Sequence, residues 1–229
     1  MTRALPIVVL AIAVSAMSPA AASAQTGTLI NNHPAEVRDG DDRDQNAARR
    51  ITNDFGQCVV HKYGRLAERS VAGSASASSA RLMTSLATPE CLTHGELHMP
   101  QTLMRGAIFR ALYIRNYGRV APVGQRVAVD YVAGMIPGDG LSQQMAGLLP
   151  IASCVAQANP EASRAFVLAN VATTAEQAAI TALRPALANC LPAQLTIRFS
   201  KAVLQGMLAE ALYREAPRAT DGVAVAGKK

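Results

Sequence analysis

His94, Glu96 and His98 are the one group in this chain whose residue types and spacing suit a metal. In an extended segment, residues two apart project from one face, so two imidazoles and a carboxylate would converge on zinc or copper. No fourth ligand is evident, and the other histidines, His33 and His61, have no spacing relation to the group. The competing reading is a wet face with no ligand. Cys58, Cys91, Cys154 and Cys190 carry a firmer signal: an even set in an exported chain predicts disulfides. The absence of any C-x-x-C disfavours a thioredoxin-type redox centre or a zinc ribbon. Arg105, Arg110, Arg115, Arg119 and Arg126 form a basic run. Steps of five do not keep to one helical face, so the run predicts solvated surface, with an anion-binding patch as the alternative.

Other chemistry is thin. The chain has no G-x-S-x-G, H-E-x-x-H, Walker loop or dinucleotide fingerprint. Four histidines and 16 acidic residues leave little for general acid/base work. No residue nominates itself as catalytic, and no cofactor is implied. The acidic run from Asp39 to Asp44 fails as a calcium loop, because Arg43 stands at the third ligand position and Arg50 at the twelfth.

The elements that must position these residues come from a duplication. Aligned on Tyr113 and Tyr213, the pairs Gly106/Gly206, Ala111/Ala211 and Leu112/Leu212 are identical, and upstream Cys58-Val59 matches Cys154-Val155. A step near 100 residues is too long for a solenoid repeat of roughly 20 to 50. Each copy reads as four helical pieces. The first runs through the first cysteine: Ala47, Ala48, Ile51, Phe55, Cys58 and Val59 in one copy, Leu148, Leu149, Ala152 and Val155 in the other, with Pro150 tolerated only near a helix start. The second opens at Tyr63-Gly64 and at Asn159-Pro160, the latter an N-cap followed by proline at the first helical position. The third follows the serine-rich stretch 74–79, or opens at Thr173-Thr174, where Thr173 with Glu176, or Thr174 with Gln177, can make a capping box.

The fourth piece is the clearest. Leu103, Met104, Ala107, Ile108, Ala111 and Leu112 form one apolar stripe, repeated by Val203, Leu204, Met207, Leu208, Ala211 and Leu212. Gly106 and Gly206 interrupt both helices, although glycine there costs roughly 1 kcal/mol relative to alanine. The same exception twice predicts close approach of another backbone; ligand contact at the gap is the alternative. Before each stripe lies a short alternating stretch, a modest strand signal through Leu97 and Met99, and through Leu195, Ile197 and Phe199.

Four cysteines allow three connectivities, and each maps the duplication onto itself. If each copy descends from an autonomous unit, locality selects Cys58–Cys91 and Cys154–Cys190. Loops of 33 and 36 residues would each be worth about 3.5–4 kcal/mol in the loop-entropy model.

The first 24 residues read as a secretory signal peptide: Arg3, an apolar stretch from Leu5 to Met17, and Ala22-Ser23-Ala24 as a cleavage site. The apolar stretch is short of the roughly 20 residues that span a bilayer, so the mature chain is expected to be periplasmic or secreted. The formal net charge of +6 falls by one with Arg3 and rests on arginine, since Lys62, Lys201, Lys228 and Lys229 are the only lysines. That charge points only weakly to an anionic partner; solubility together with codon bias is the reading that accounts for it. Aromatics are 4% and tryptophan is absent, so the core is left to small aliphatic side chains, which suit packed helices better than a β-sandwich.

A signal peptide followed by two C…C…G…ALY units resembles exported bacterial two-repeat helical proteins with one cysteine pair per repeat; the resemblance implies no activity and no site. The expected architecture is mainly α: two tandem pseudo-equivalent units, each of about four helices with room for one short strand. The segments are a flexible leader (25–46), helical repeat 1 (47–117), a connection (118–144), helical repeat 2 (145–216) and a disordered tail (217–229). The expected function is a non-enzymatic interaction or scaffold module of the cell envelope, meeting another envelope protein or an anionic surface rather than nucleic acid. The alternatives are a small-ligand or metal-binding protein using His94, Glu96 and His98, and an enzyme with a site between the repeats.

Overall fold

The computed structural model describes residues 43–73, 77–92, 99–133, 136–192 and 199–217. The expected signal peptide, most of the expected leader, the His94, Glu96 and His98 group, most of both alternating stretches and the residues beyond Pro217 lie outside the described residues. Those residues form seven α-helices and no strand, in keeping with a mainly α chain. They are α1 (Arg43–Val71), α2 (Ala77–Thr84), α3 (Gln101–Tyr117), α4 (Gly140–Ala158), α5 (Pro160–Leu168), α6 (Thr174–Cys190) and α7 (Lys201–Arg214), with a 3-10 turn at Pro89–Cys91.

The start signals act as their chemistry requires. Asp139, Asn159, Thr173 and Ser200 each accept a hydrogen bond from a backbone N–H in the first turn of α4, α5, α6 and α7. Two boundaries differ from the sequence reading. Helix α1 begins at Arg43, inside the expected leader. Helix α4 begins at Gly140 and carries Pro150 in its interior rather than near its start. Pro150 is on the exposed face, while Met145, Leu148, Leu149, Ala152 and Val155 are buried on the other. That burial outweighs the backbone hydrogen bond the proline forgoes.

Helix α1 leaves helical geometry at Tyr63 (φ −122°, ψ 31°), and the break between α4 and α5 falls at Asn159 (φ −145°, ψ 79°). The Tyr63 hydroxyl donates to Glu90 Oε2 at 3.0 Å and lies 3.3 Å from Thr88 Oγ1, tying the kink to the 3-10 turn.

Helices α3 and α7 lie against each other at the centre; α1 covers α3 and α4 covers α7. Helix α2 packs on α1 and α3, while α5 and α6 pack together on the α4 and α7 side. The two central helices meet at their glycines. A Cβ on Gly106 would stand 2.7 Å from Gly206 Cα, and one on Gly206 would stand 2.7 Å from Gly106 Cα. A further close approach is at Gly56 in α1, where a Cβ would come 2.5 Å from the carbonyl oxygen of Ala107. Helix α3 thus touches backbone on two sides.

One apolar core runs through the helices, from Phe55, Val59 and Met83 through Ile108, Leu112, Met207 and Leu208 to Phe166, Ile180 and Leu187. Both stripes are buried apart from Leu103 and Val203, which are partly exposed. The helices are buried on their other faces as well. Arg105 (0% exposed) and Arg110 (4%) are inside the protein, which corrects the solvated-surface reading for these two. Steps of five do leave one face, but in a helix covered from both sides each face meets protein. Arg115, Arg119 and Arg126 lie at or near the surface as expected.

Candidate functional site

Both cysteine pairs are formed as locality selects. Cys58 joins Cys91 and Cys154 joins Cys190, with Cα separations of 5.5 and 5.7 Å. Each ties the first helix of its segment to the end of the third piece. No group of three or more histidine, cysteine, aspartate and glutamate residues among those described is placed to hold a metal.

Three places concentrate chemistry. The first is a buried ion pair on one side of the glycine crossing. Arg105 Nε and Nη2 donate to the two oxygens of Glu210 at 2.9 and 2.7 Å, and Nη2 also reaches the carbonyl oxygens of Val71 and Gly73 at the end of α1. The bidentate pair therefore caps a helix C-terminus, whose unpaired carbonyls favour a cation. Phe109 stacks beneath it, with the Arg105 guanidinium carbon 4.9 Å from the ring centre.

The second place lies at the seam, on the other side of the glycines. Arg110 Nε and Nη2 donate to the carbonyl oxygens of Val167 and Ala169 at the end of α5, at 2.9 and 3.0 Å. Gln205 Nε2 donates to Phe166 and, at 3.5 Å, to Ala169. Arg49 pairs with Glu176, which also accepts from the Ala172 N–H. Thr173 and Glu176 form the expected cap, with the carboxylate turned to Arg49 and the preceding turn. Burial, then the Arg49 charge, pulls the Arg110 guanidinium down to about 10, so it stays charged at neutral pH. A cavity of about 10 Å³ opens here, bordered by Arg49, Arg110, Gln205 and both glycines. It is far too small for an organic substrate.

The third place is a cleft of about 540 Å³ between the ends of α1, α3 and α7 and residues 127–130 of the connection. Phe109, Tyr117 and Tyr213 form its aromatic wall, with ring centres 5.7 Å (Phe109 to Tyr213) and 6.3 Å (Tyr117 to Tyr213) apart. Glu68, Asp130 and Arg214 supply its charges. Its outer edge is a strap, residues 119–133, stapled to the end of α7. Val127 N–H donates to the Glu215 carbonyl at 2.9 Å, and Tyr131 Oη to the Glu215 carboxylate at 2.9 Å. Arg126 pairs with the same carboxylate, and Arg214 lies over the Tyr131 ring. Burial, reinforced by the Glu215 charge, pushes the Tyr131 hydroxyl above its ordinary value. Ala128 and Val129 make no backbone hydrogen bond among the described residues. Val120 and Val123 are exposed on the same strap, 71% and 88%. A more apolar hollow of about 160 Å³ lies where Pro122 of the strap faces Pro160 and Leu212.

Sequence reasoning missed Glu210, Glu176, Arg49 and the cleft aromatics as site residues. A signal existed for one of them: Glu210 is the only acidic residue in α7 and stands between the apolar residues Ala209 and Ala211. Tyr213 served there only to align the copies.

What the arrangement defines is an all-α fold with two disulfides, no described helix of which is long and apolar enough to cross a membrane. No protein family, curated protein or solved structure matches the chain.

Proposed function

We propose that this chain is an exported, non-enzymatic interaction module of the cell envelope, built from two pseudo-equivalent helical units, and that it takes an extended segment of another envelope protein in its aromatic cleft. The two-unit reading is supported by the reciprocal contact of Gly106 with Gly206, by backbone breaks at Tyr63 and Asn159, and by one disulfide within each unit. Export is supported by the same disulfides and by the signal-like N-terminal residues.

The observation that carries the binding reading is the cleft and its edge together. The strap offers free N–H and C=O groups at Ala128 and Val129, beside a wall of Phe109, Tyr117 and Tyr213. An extended polypeptide satisfies both features at once: its backbone pairs with the strap edge and an apolar side chain enters among the rings. Aromatic walls with polar surroundings are where binding energy concentrates. The buried ionisable groups, by contrast, are committed to helix ends and to each other.

Selection of displayed peptides on the purified mature protein tests this. Recovered peptides are expected to share a β-forming stretch with a central apolar residue. Their affinity should fall roughly tenfold or more in Tyr117→Ala, the scale of losing an aromatic anchor. Failure to recover binders, or binders indifferent to Tyr117→Ala and Tyr213→Ala, would overturn it.

A further inference from the structure

Two cavities are lined by residues that match in the sequence alignment, yet their charges differ. Counted from Cys58 and Cys154, Glu68 matches Arg164; counted from Tyr113 and Tyr213, Tyr117 matches Pro217. Glu68, Tyr213 and Tyr117 line the aromatic cleft, while Arg164, Tyr113 and Pro217 line the hollow of about 160 Å³ on the strap. In the cleft the matched charge is already neutralised, since Glu68 pairs with Arg115. In the hollow it is not. Arg164 Nη2 donates to the carbonyl oxygens of Tyr117 and Gly118 at 2.8 and 3.1 Å, and Nε is enclosed without a partner. No carboxylate bonds this guanidinium among the described residues, and carbonyl oxygens accept its protons without neutralising it. Arg126 and Glu215, also on the hollow, pair with each other. Glu161 stands at the exposed rim, where water screens it.

The other walls of the hollow are apolar: Pro122, Pro160, Pro217, Leu212 and Ala216. Three of these are prolines with fixed φ, and Leu212 and Ala216 are anchored in the core, so the shape is set before anything enters. Gly124 closes one end. Its φ of 122° brings the strap backbone so near Pro217 that a Cβ would stand 3.3 Å from that ring. The Tyr113 hydroxyl lies beside the Arg164 guanidinium, whose charge offsets part of the upward push of burial on it. An apolar cavity of about 150 Å³ accepts one benzene-sized body, and the hollow is of that size. We infer that it binds a small monocarboxylic acid with a single ring or a short branched chain, the carboxylate on Arg164 and the apolar body against the prolines and Leu212. This inference goes beyond the cleft and its partner and does not rest on them.

Titration calorimetry of the mature protein at low ionic strength tests this, with benzoate as the probe and benzyl alcohol, benzylammonium and acetate as controls. Benzoate is expected to bind roughly tenfold or more tightly than benzyl alcohol, which carries the ring without the charge. Benzylammonium, with the wrong charge, and acetate, with no apolar body, should bind more weakly still. Arg164→Gln should bring benzoate down to the level of benzyl alcohol. Ala121→Trp, at an exposed strap position on the hollow, should abolish the binding of both. If Arg164→Gln does not fold, Ala121→Trp decides together with the wild-type preference for the acid. Absence of benzoate binding, equal binding of benzoate and benzyl alcohol, or binding that survives Ala121→Trp would overturn the inference. Binding that survives Ala121→Trp but is lost in Tyr117→Ala would assign the probe to the cleft, sinking this inference while leaving the peptide reading intact.

Discussion

Arg105 and Glu210 show how a charged residue becomes part of a core built mostly of alanine, leucine and methionine. The pair is 0% and 1% exposed, and each partner is held by bonds the other cannot replace. Glu210→Gln is therefore expected to cost about 3–5 kcal/mol, because it strands a buried guanidinium. A joint Arg105→Met, Glu210→Leu replacement should recover most of that loss, since a buried pair adds little beyond a well-packed apolar one. Chemical denaturation of the two variants checks this; equal losses in both would contradict it. Alkaline stability reports a second set of buried groups. Burial raises the hydroxyls of Tyr113, Tyr131 and Tyr213 above their ordinary value of 10.0. Above that pH the unfolded chain has lost protons that the folded chain retains, so stability falls as pH rises. Arg110, pulled down, acts in the opposite direction in the same range, but as one group against three. Melting curves from pH 8 to 11.5 should show a shallower decline in Tyr131→Phe than in wild type. An unchanged slope would mean that Tyr131 is not held neutral by its burial and the adjacent Glu215 charge.

At the scale of elements, the crossing of α3 and α7 depends on two hydrogen atoms standing where methyl groups would be. Gly206→Ala gains roughly 1 kcal/mol in helix propensity, yet places a Cβ 2.7 Å from Gly106 Cα, so backbone must move at an overpacking cost of about 1–3 kcal/mol. The melting temperature is expected to fall for Gly206→Ala and to fall further for Gly206→Leu. A rise in either would remove the close-approach account. This crossing was legible in the sequence because the same helix-disfavouring residue recurs in two matched stripes. The caps at Asn159, Thr173 and Ser200 were legible for the same kind of local reason, a side chain bonding within its own turn. Gly56 was not, since its partner carbonyl at Ala107 is 51 residues away and nothing in α1 alone marks the approach. Arg110 misled for a related reason. Its steps of five indicate only that it leaves the stripe, and whether that face meets water depends on α5 and α1.

Across the described residues, one cluster of buried apolar side chains reaches from α1 to α7 alongside the buried polar groups at the crossing, although the chain reads as two copies. Calorimetry is accordingly expected to give a single transition with matching calorimetric and van't Hoff enthalpies; two resolved transitions would mean that the halves fold separately. The helices and the two disulfide pairings could be read from cysteines, glycines and stripes, because these are matched by local spacing along the chain. The cleft could not, because it joins the ends of α1, α3 and α7 to a strap from the connection, and no local pattern brings Glu68, Tyr213 and Val129 together. The most direct measurement of the partner face is site-specific photo-crosslinking in cells of the source organism, with a benzophenone side chain at Ala128 and, as a control, at exposed Gln157 in α4. The expected result is a discrete protein adduct from position 128 that is absent from position 157 and lost in folded Tyr213→Ala. Identical adducts from both positions, or none from position 128, would contradict the account.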